Sequence, residues 1–155
     1  MRELYLLYIC SEYNNVIITF MKKTNNISEF LLENNIKPSY QRLKIFEYLY
    51  VHKTHPTVDE IYKALKGEIP TLSKTTVYNT LKLFIDKGVV IIINIEDNET
   101  RYDADTSLHG HFKCEICGNI YDFDVNDDGL TIDLKNYKIK ETHIYIKGIC
   151  EKCMN

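Results

Sequence analysis

Two kinds of metal-binding side chain lie close together in the run L-H-G-H-F-K-C-E-I-C, which extends from Leu108 to Cys117. In an extended segment successive side chains alternate in direction, so His109 and His111 point to one side and Cys114 to the other. Imidazole nitrogens and thiolate sulfurs are both ligands for divalent metals. The segment therefore predicts two separate metal sites, each completed by residues from elsewhere in the chain.

A second C-x-x-C pair, Cys150 and Cys153, complements Cys114 and Cys117 in the pattern C-x2-C-x32-C-x2-C, and Cys10 is left over. Four thiolates in two such pairs are typical of a closed, tetrahedral structural zinc site. Two disulfides, a redox-active C-x-x-C pair and an iron–sulfur cluster are the alternatives. We favour zinc, because no other feature of the chain indicates an oxidising compartment.

The histidine pair has two interpretations, an exposed polar strand face or part of a second metal site. The metal interpretation gains support from three further residues of ligand type, His55, Asp103 and Asp122. Nitrogen and oxygen ligands of this kind choose only weakly among divalent metals, so the set by itself does not identify the ion.

Composition sets the broad class. The chain has 155 residues, of which 45% are hydrophobic, so it can form one domain or two small ones. Residues 21–96 contain 11 Lys and Arg against 8 Asp and Glu (+3), and residues 97–155 contain 7 against 12 (−5). This asymmetry predicts a polyanion-binding first part and a cation-binding second part. No apolar run is long enough to span a membrane, so we expect a cytoplasmic protein.

Apolar spacing and capping residues predict the elements that position these groups. Helices are expected over residues 27–34, 39–51, 58–66 and 74–87. A strand over 89–95, a turn at 97–98 and a strand over 100–103 form a hairpin, and further strands are expected over 110–114, 120–125 and 137–149, with a helical turn over 130–134. Thr57 and Glu60 match a capping box at the third helix. Short helices followed by a hairpin are the order of a winged helix-turn-helix.

The fourth helix carries an apolar stripe of Val77, Leu81 and Phe84. Its opposite face presents hydroxyls, an amide and an ammonium group, with no carboxylate among them: Thr75, Tyr78, Asn79 and Lys82. Such a face suits phosphates and base edges in a DNA major groove, although a plain solvated helix face is the alternative. Arg42, at the start of the second helix, is expected to contact phosphate.

Several motifs together resemble the ferric uptake regulator (Fur) family: H-P-T (55–57), S-K-T-T-V-Y-N-T-L (73–81), R-Y-D (101–103), H-G-H-F-K-C-E-I-C-G (109–118) and G-I-C-E-K-C (148–153). The resemblance implies an α+β protein with an N-terminal winged-helix DNA-binding domain over 21–103 and a small α/β dimerisation domain with structural zinc over 104–155. Residues 1–20 are interpreted as an extension, either a poorly ordered arm or an untranslated stretch before Met21.

The same resemblance implies a homodimeric, metal-dependent repressor that binds double-stranded DNA and takes no small-molecule substrate. Its regulatory metal, Fe2+ or Mn2+, would be held by His55, Asp103, His109, His111 and Asp122. Aspartates at both carboxylate positions resemble the peroxide-sensing branch, in which a ligand histidine is oxidised beside Fe2+; by position this would be His55 or His109. An iron- or zinc-uptake repressor is the alternative within the family.

The chain departs from the usual family pattern at three positions, and two other functional classes are the alternatives. Leu108 and Gly110 stand where relatives carry further ligands, so an extra metal site is not expected. His143 is one residue out of step with the usual family position and is left out of the site. A metalloenzyme around His109 and His111 is disfavoured, because no deaminase, nucleophile or phosphate-loop motif is present. A zinc-stapled domain that binds only protein is the third class.

Overall fold

A computed structural model describes residues 27–95, 99–125 and 136–154. The chain divides between Ser107 and Leu108 into two compact units. Within the described ranges, every helix is too short or too polar to reach across a lipid bilayer. The architecture is α+β, with helices and a hairpin in the first unit and a small sheet in the second.

The first unit contains four helices and a two-stranded sheet among its described residues. They are α1 (Ile27–Glu33), α2 (Tyr40–His52), α3 (Val58–Leu65), α4 (Lys74–Asp86), β1 (Ile91–Ile93) and β2 (Arg101–Asp103). Thr57 and Glu60 form the expected capping box at α3, since each side chain binds the other's backbone amide. Ser73 caps α4 by accepting from the Thr76 amide at 3.0 Å. Helix starts are therefore set by local sequence.

The core of this unit lies between the helices and the hairpin. Phe46 of α2 contacts Phe84 of α4 edge-to-face, with ring centroids 5.6 Å apart. Val77 and Leu81, the rest of the predicted α4 stripe, are fully buried. Because one face of α4 is committed to this core, its opposite face is held outward as a rigid surface.

The second unit is built on a three-stranded sheet in the order β4–β3–β5. Its elements are β3 (His109–Cys114), β4 (Ile120–Asp124), β5 (Ile144–Gly148) and the short helix α5 (Glu151–Met154). β4 runs antiparallel to β3, whereas β5 runs parallel to it and places Gly148 opposite Cys114. This parallel pairing brings the end of the chain back to the first C-x-x-C pair.

Most of the predicted elements are confirmed within a few residues. The prediction of strand over 137–149 is wrong for 137–143, which have no strand structure, and right for β5. The hairpin strands are shorter than expected, and α5 was not predicted. The predicted helical turn over 130–134, the turn at 97–98 and the extension over 1–20 lie outside the described residues.

Gly110 leaves room for an aromatic ring in the middle of β3. It lies opposite Phe123 of β4, and a Cβ atom on Gly110 would overlap the Phe123 ring. The ring thus occupies the place that any side chain at position 110 would need. This gives a packing reason for the absence of a further ligand there.

We expect Gly110→Ala to lower the free energy of unfolding by about 1–3 kcal/mol, because the Phe123 ring has to move. The measurement is urea unfolding followed by tyrosine fluorescence. Gly67→Ala is the matched control, since nothing lies within 4 Å of a Cβ atom at that position. Equal stability of the two variants would contradict the packing argument.

Candidate metal centres and nucleic-acid interface

The four paired cysteines converge in the second unit. The sulfur atoms of Cys114, Cys117, Cys150 and Cys153 all lie within 4.8 Å of one another. Four sulfurs at about 2.3 Å from a central zinc would stand about 3.8 Å apart at the corners of a tetrahedron. The Cys117 and Cys150 sulfurs are 3.8 Å apart. The cluster therefore has the dimensions of a closed tetrahedral zinc site, and its thiols are not paired as disulfides.

Backbone groups prepare this cluster for a cation. Backbone hydrogen bonds from Cys117 and Cys150 lower the pKa of Cys114 to about 6, and the Cys150 amide lies 3.4 Å from the Cys114 sulfur. A hydrogen bond with Cys150 raises the pKa of Cys153 to about 12, because neighbouring thiols share their protons. Thiolates are the zinc-binding form, so the amides favour the ligand state at the buried corner of the site.

Tyr121 is a contact of this cluster that the sequence did not reveal. Its hydroxyl donates to the Cys150 sulfur at 3.8 Å and accepts from the Asn119 amide group at 3.4 Å. In the sequence Tyr121 lies in the strand predicted over 120–125 and alternates there with Asp122, a pattern that does not point to the cysteines. Its hydroxyl is an outer partner of a thiolate, the kind of contact that orients a metal ligand.

A second group of ligand type forms on the same sheet. The Nε2 atoms of His109 and His111 are 3.0 Å apart, and each lies 3.7 Å from Oδ1 of Asp122. The strand register explains the grouping, since Asp122 of β4 pairs directly with His111 of β3. Two ligands about 2.1 Å from a metal at a right angle would be about 3.0 Å apart. The donor set and the histidine separation therefore fit a divalent cation.

The first unit has its own pair of possible metal ligands, His55 and Asp103. Both residues are buried, and His55 Nε2 lies 3.5 Å from Asp103 Oδ2. His55 has a left-handed backbone with φ of 49°. Left-handed backbone is uncommon for residues other than glycine and is often found at functional positions. A buried imidazole beside a carboxylate is again a nitrogen–oxygen donor set suited to Fe2+ or Mn2+.

The predicted polar face of α4 is exposed along its whole length. Thr75, Tyr78, Asn79 and Lys82 are all on the solvent side, and Tyr78 is 54% exposed. An open polar depression of about 240 Å³ lies beside this face. Its lining comes from the start of α2 and from α4: Ser39, Gln41, Arg42, Thr76, Asn79 and Thr80. Hydroxyl, amide and guanidinium groups of this kind are donors to phosphate oxygens.

Arg42 is half-buried at the edge of this depression. Its guanidinium donates to the Lys37 carbonyl at 2.7 Å, which anchors the side chain at the start of α2. Its backbone amide is bound by Ser39, the N-cap of the same helix. The remaining guanidinium donors are thus held in one place at the positive end of the helix dipole.

His143 does not join either ligand group. It is exposed, and its ring nitrogens lie 3.5 Å from Glu141 Oε2 and 3.3 Å from the Tyr145 hydroxyl. Tyr145 in turn contacts the His111 ring, with centroids 5.9 Å apart. His143 therefore neighbours the histidine pair through Tyr145.

A winged helix with an exposed polar helix face, together with a small sheet that carries thiolate and histidine–carboxylate groups, is typical of metal-binding DNA-binding proteins. A model of the ferric uptake regulator family matches residues 33–147. The chain belongs to this family, whose members are transcriptional regulators.

Two curated relatives are similar over most of their length. The peroxide operon regulator of Bacillus subtilis (strain 168) is 38% identical over 129 residues, which are 81% of this chain and 89% of that protein. The peroxide-responsive repressor PerR of Staphylococcus aureus (strain Mu50 / ATCC 700699) is 36% identical over 129 residues, which are 81% and 87% of the two proteins. Among solved structures, the Helicobacter pylori ferric uptake regulator shares the fold, with a TM-score of 0.66, 20% identity and coverage of 92% and 94%.

Proposed function

We propose that this protein is a metal-dependent, DNA-binding transcriptional repressor that senses peroxide through a regulatory Fe2+ site, which Mn2+ can also fill. The observation that carries the proposal is the pair of histidine–carboxylate groups without thiolate, one at the edge of the winged helix and one on the second unit's sheet. The names of the relatives at 36–38% identity agree with it.

Double-stranded DNA is the proposed partner of the first unit. The α4 face would lie in the major groove, where Asn79 and Tyr78 can contact base edges and Lys82 and Thr75 can contact phosphates. The polar depression at the start of α2 would receive a backbone phosphate beside Arg42. A homodimer would present two such helices to two half-sites.

The proposed metal assignments follow from the donor atoms. The Cys114, Cys117, Cys150 and Cys153 cluster would hold a structural Zn2+, because its four sulfurs leave no open position. His55, Asp103, His109, His111 and Asp122 would together hold the regulatory ion. An ion shared by ligands from both units would restrict their relative orientation and thereby select the DNA-binding arrangement.

Fe2+, when bound there, would supply the redox chemistry that consumes peroxide and adds oxygen to a ligand histidine. The protein's own contribution is to present imidazole and carboxylate donors while keeping thiolates in a separate cluster. Loss of one imidazole donor would weaken metal binding and release the DNA. Such a repressor would lose DNA affinity when oxidised with iron bound and would keep it with manganese bound.

The test of this proposal is a gel shift with operator DNA and zinc-loaded protein, with and without Mn2+ or Fe2+. Retardation that depends on the added metal and disappears after peroxide only in the Fe2+ sample is expected. If the Fe2+-dependent retardation persists after peroxide treatment, the protein is a metal-uptake repressor that does not sense peroxide. Absence of metal-dependent retardation would overturn the proposal as a whole.

In the same assay, Tyr78→Ala and Arg42→Ala are expected to weaken DNA binding by about 1–3 kcal/mol each while Mn2+ uptake is unchanged. Arg42→Ala should also lower the salt slope of binding by about one unit, because one phosphate contact is lost. Lys87→Ala, which removes an exposed cation at the far end of α4, is the control. Unchanged affinity in both test variants would mean that the recognition face is placed wrongly.

A further inference from the structure

Arg101 of β2 is a largely buried cation, and the sequence motifs assign it no role. Its side chain is only 15% exposed. Its Nη1 donates to the His55 carbonyl at 3.0 Å and lies 3.4 Å from a Glu60 oxygen, and its Nη2 lies 2.9 Å from a Glu99 oxygen. The guanidinium fork therefore joins the His55 segment, the first turn of α3 and the residue that leads into β2.

The three residues of the H-P-T segment are held by consecutive backbone hydrogen bonds. Arg101 binds the His55 carbonyl, the Tyr102 amide donates to the Pro56 carbonyl at 3.2 Å, and Glu60 accepts from the Thr57 amide at 2.7 Å. Two of these three contacts come from β2. The strand thus fixes the path of the backbone where His55 adopts its left-handed conformation.

The same strand also places a residue, Asp103, beside the side chain of His55. Residues two apart on a strand point to the same side, so Arg101 and Asp103 share one face of β2. Arg101 holds the His55 main chain, and Asp103 Oδ2 lies 3.5 Å from the His55 ring nitrogen. One strand face therefore controls both the backbone and the imidazole of His55.

We propose that Arg101 is a positioning residue for the regulatory metal, acting through the His55 carbonyl to keep the imidazole beside Asp103. This inference rests on the proposed function, because it takes His55 and Asp103 as ligands of that metal. Arginine suits the role because its planar fork can serve the carbonyl and both carboxylates at once, whereas a lysine ammonium is a single point of donation. The contact also links the metal ligand to Glu60, which caps α3 of the winged helix.

The test compares Arg101→Lys with Glu99→Gln in the full-length, zinc-loaded protein. Mn2+ affinity is measured by calorimetry, with zinc content and the melting temperature of the Mn2+-free protein recorded alongside. Arg101→Lys is expected to weaken Mn2+ binding by about 10–100-fold, as for other outer partners of metal ligands. Glu99→Gln removes only an outer ion pair of the fork and is expected to change Mn2+ affinity by less than about twofold.

A double-mutant cycle with His55→Ala separates positioning from general stabilisation. If Arg101 acts through His55, Arg101→Lys adds no further loss of Mn2+ affinity in the His55→Ala background, because coupled residues are non-additive. Full additivity, or an Arg101→Lys affinity within about twofold of the parent, would overturn the inference. Arg101→Gln is the second variant; loss of zinc and of cooperative melting in both would assign Arg101 to stability and likewise overturn it.

The His55→Ala variant by itself distinguishes a failure of the Arg101 positioning role from a failure of the proposed metal site. Unchanged Mn2+ affinity in His55→Ala would remove His55 from the ligand set, and the proposed metal site would fail together with the role of Arg101. A large loss in His55→Ala with no loss in Arg101→Lys would leave the site intact and overturn only the positioning role.

Discussion

Cys150→Ser is expected to remove the zinc from the second unit and, with it, the unit's fold. Among the described residues of this unit, the buried hydrophobic side chains are Cys114 and Cys150 themselves. A small unit with so little apolar burial depends on a cross-link, such as a bound metal ion, for its stability. Structural zinc binding contributes about 10–16 kcal/mol, which is comparable to the whole stability of a typical domain. Loss of one thiolate should therefore leave no cooperative melting of this unit.

The measurements are zinc content by elemental analysis, oligomeric state by sedimentation and thermal melting by circular dichroism. Cys114→Ser should behave like Cys150→Ser, because the buried Cys114 sulfur belongs to the same cluster and accepts a hydrogen bond from the Cys150 amide. Cys10→Ser is the matched control, since Cys10 belongs to neither C-x-x-C pair and should have no effect. A Cys150→Ser protein that keeps the oligomeric state of the parent and melts like it would disprove the structural-zinc assignment.

Brief exposure of the Fe2+-loaded protein to peroxide is expected to add one oxygen atom to His55 or His109. The expectation follows from the donor sets, which contain imidazole and carboxylate groups but no thiolate. The protein loaded with Mn2+ at the same site should not undergo this oxidation, so its mass should be unchanged. Intact-mass analysis with peptide mapping measures the gain and assigns it to a residue.

Asp122→Glu tests whether carboxylate length matters for this chemistry. Asp122 lies opposite His111 in the strand pair, 3.7 Å from both histidine Nε2 atoms, and its side chain is 33% exposed. An added methylene changes how the carboxylate reaches the ion while keeping its charge. Metal-dependent DNA binding should persist, whereas inactivation by peroxide should slow by about tenfold or more.

The control for this prediction is Asp124→Glu, which makes the same change at an exposed residue of the same strand outside the ligand group. Release of DNA only through cysteine oxidation, or no release at all, would contradict peroxide sensing through the histidines. The protein would then be a repressor that responds to metal supply alone.

Much of the first unit follows from local sequence. The capping box of Thr57 and Glu60, the Ser73 cap and the apolar stripe of α4 are determined by residues within one or two helical turns. The same holds for the exposed face of α4, because burying one side of a helix dictates the other. The separation of histidines from cysteines along β3 follows equally from the two-residue period of a strand.

Long-range pairing decided the rest. The C-x-x-C pairs meet because β5 runs parallel to β3, a register that depends on contacts far apart in sequence. The stretch 137–149, predicted as strand, became strand only where β3 offers it a partner, because strand propensity depends on such neighbours. The roles of Arg101, Tyr121 and Phe123 likewise arise from side chains that meet only after folding. The sequence by itself determined the donor atoms and the exposed polar face of α4. Tertiary structure decided which donors meet, because distance in space is set by packing rather than by spacing along the chain.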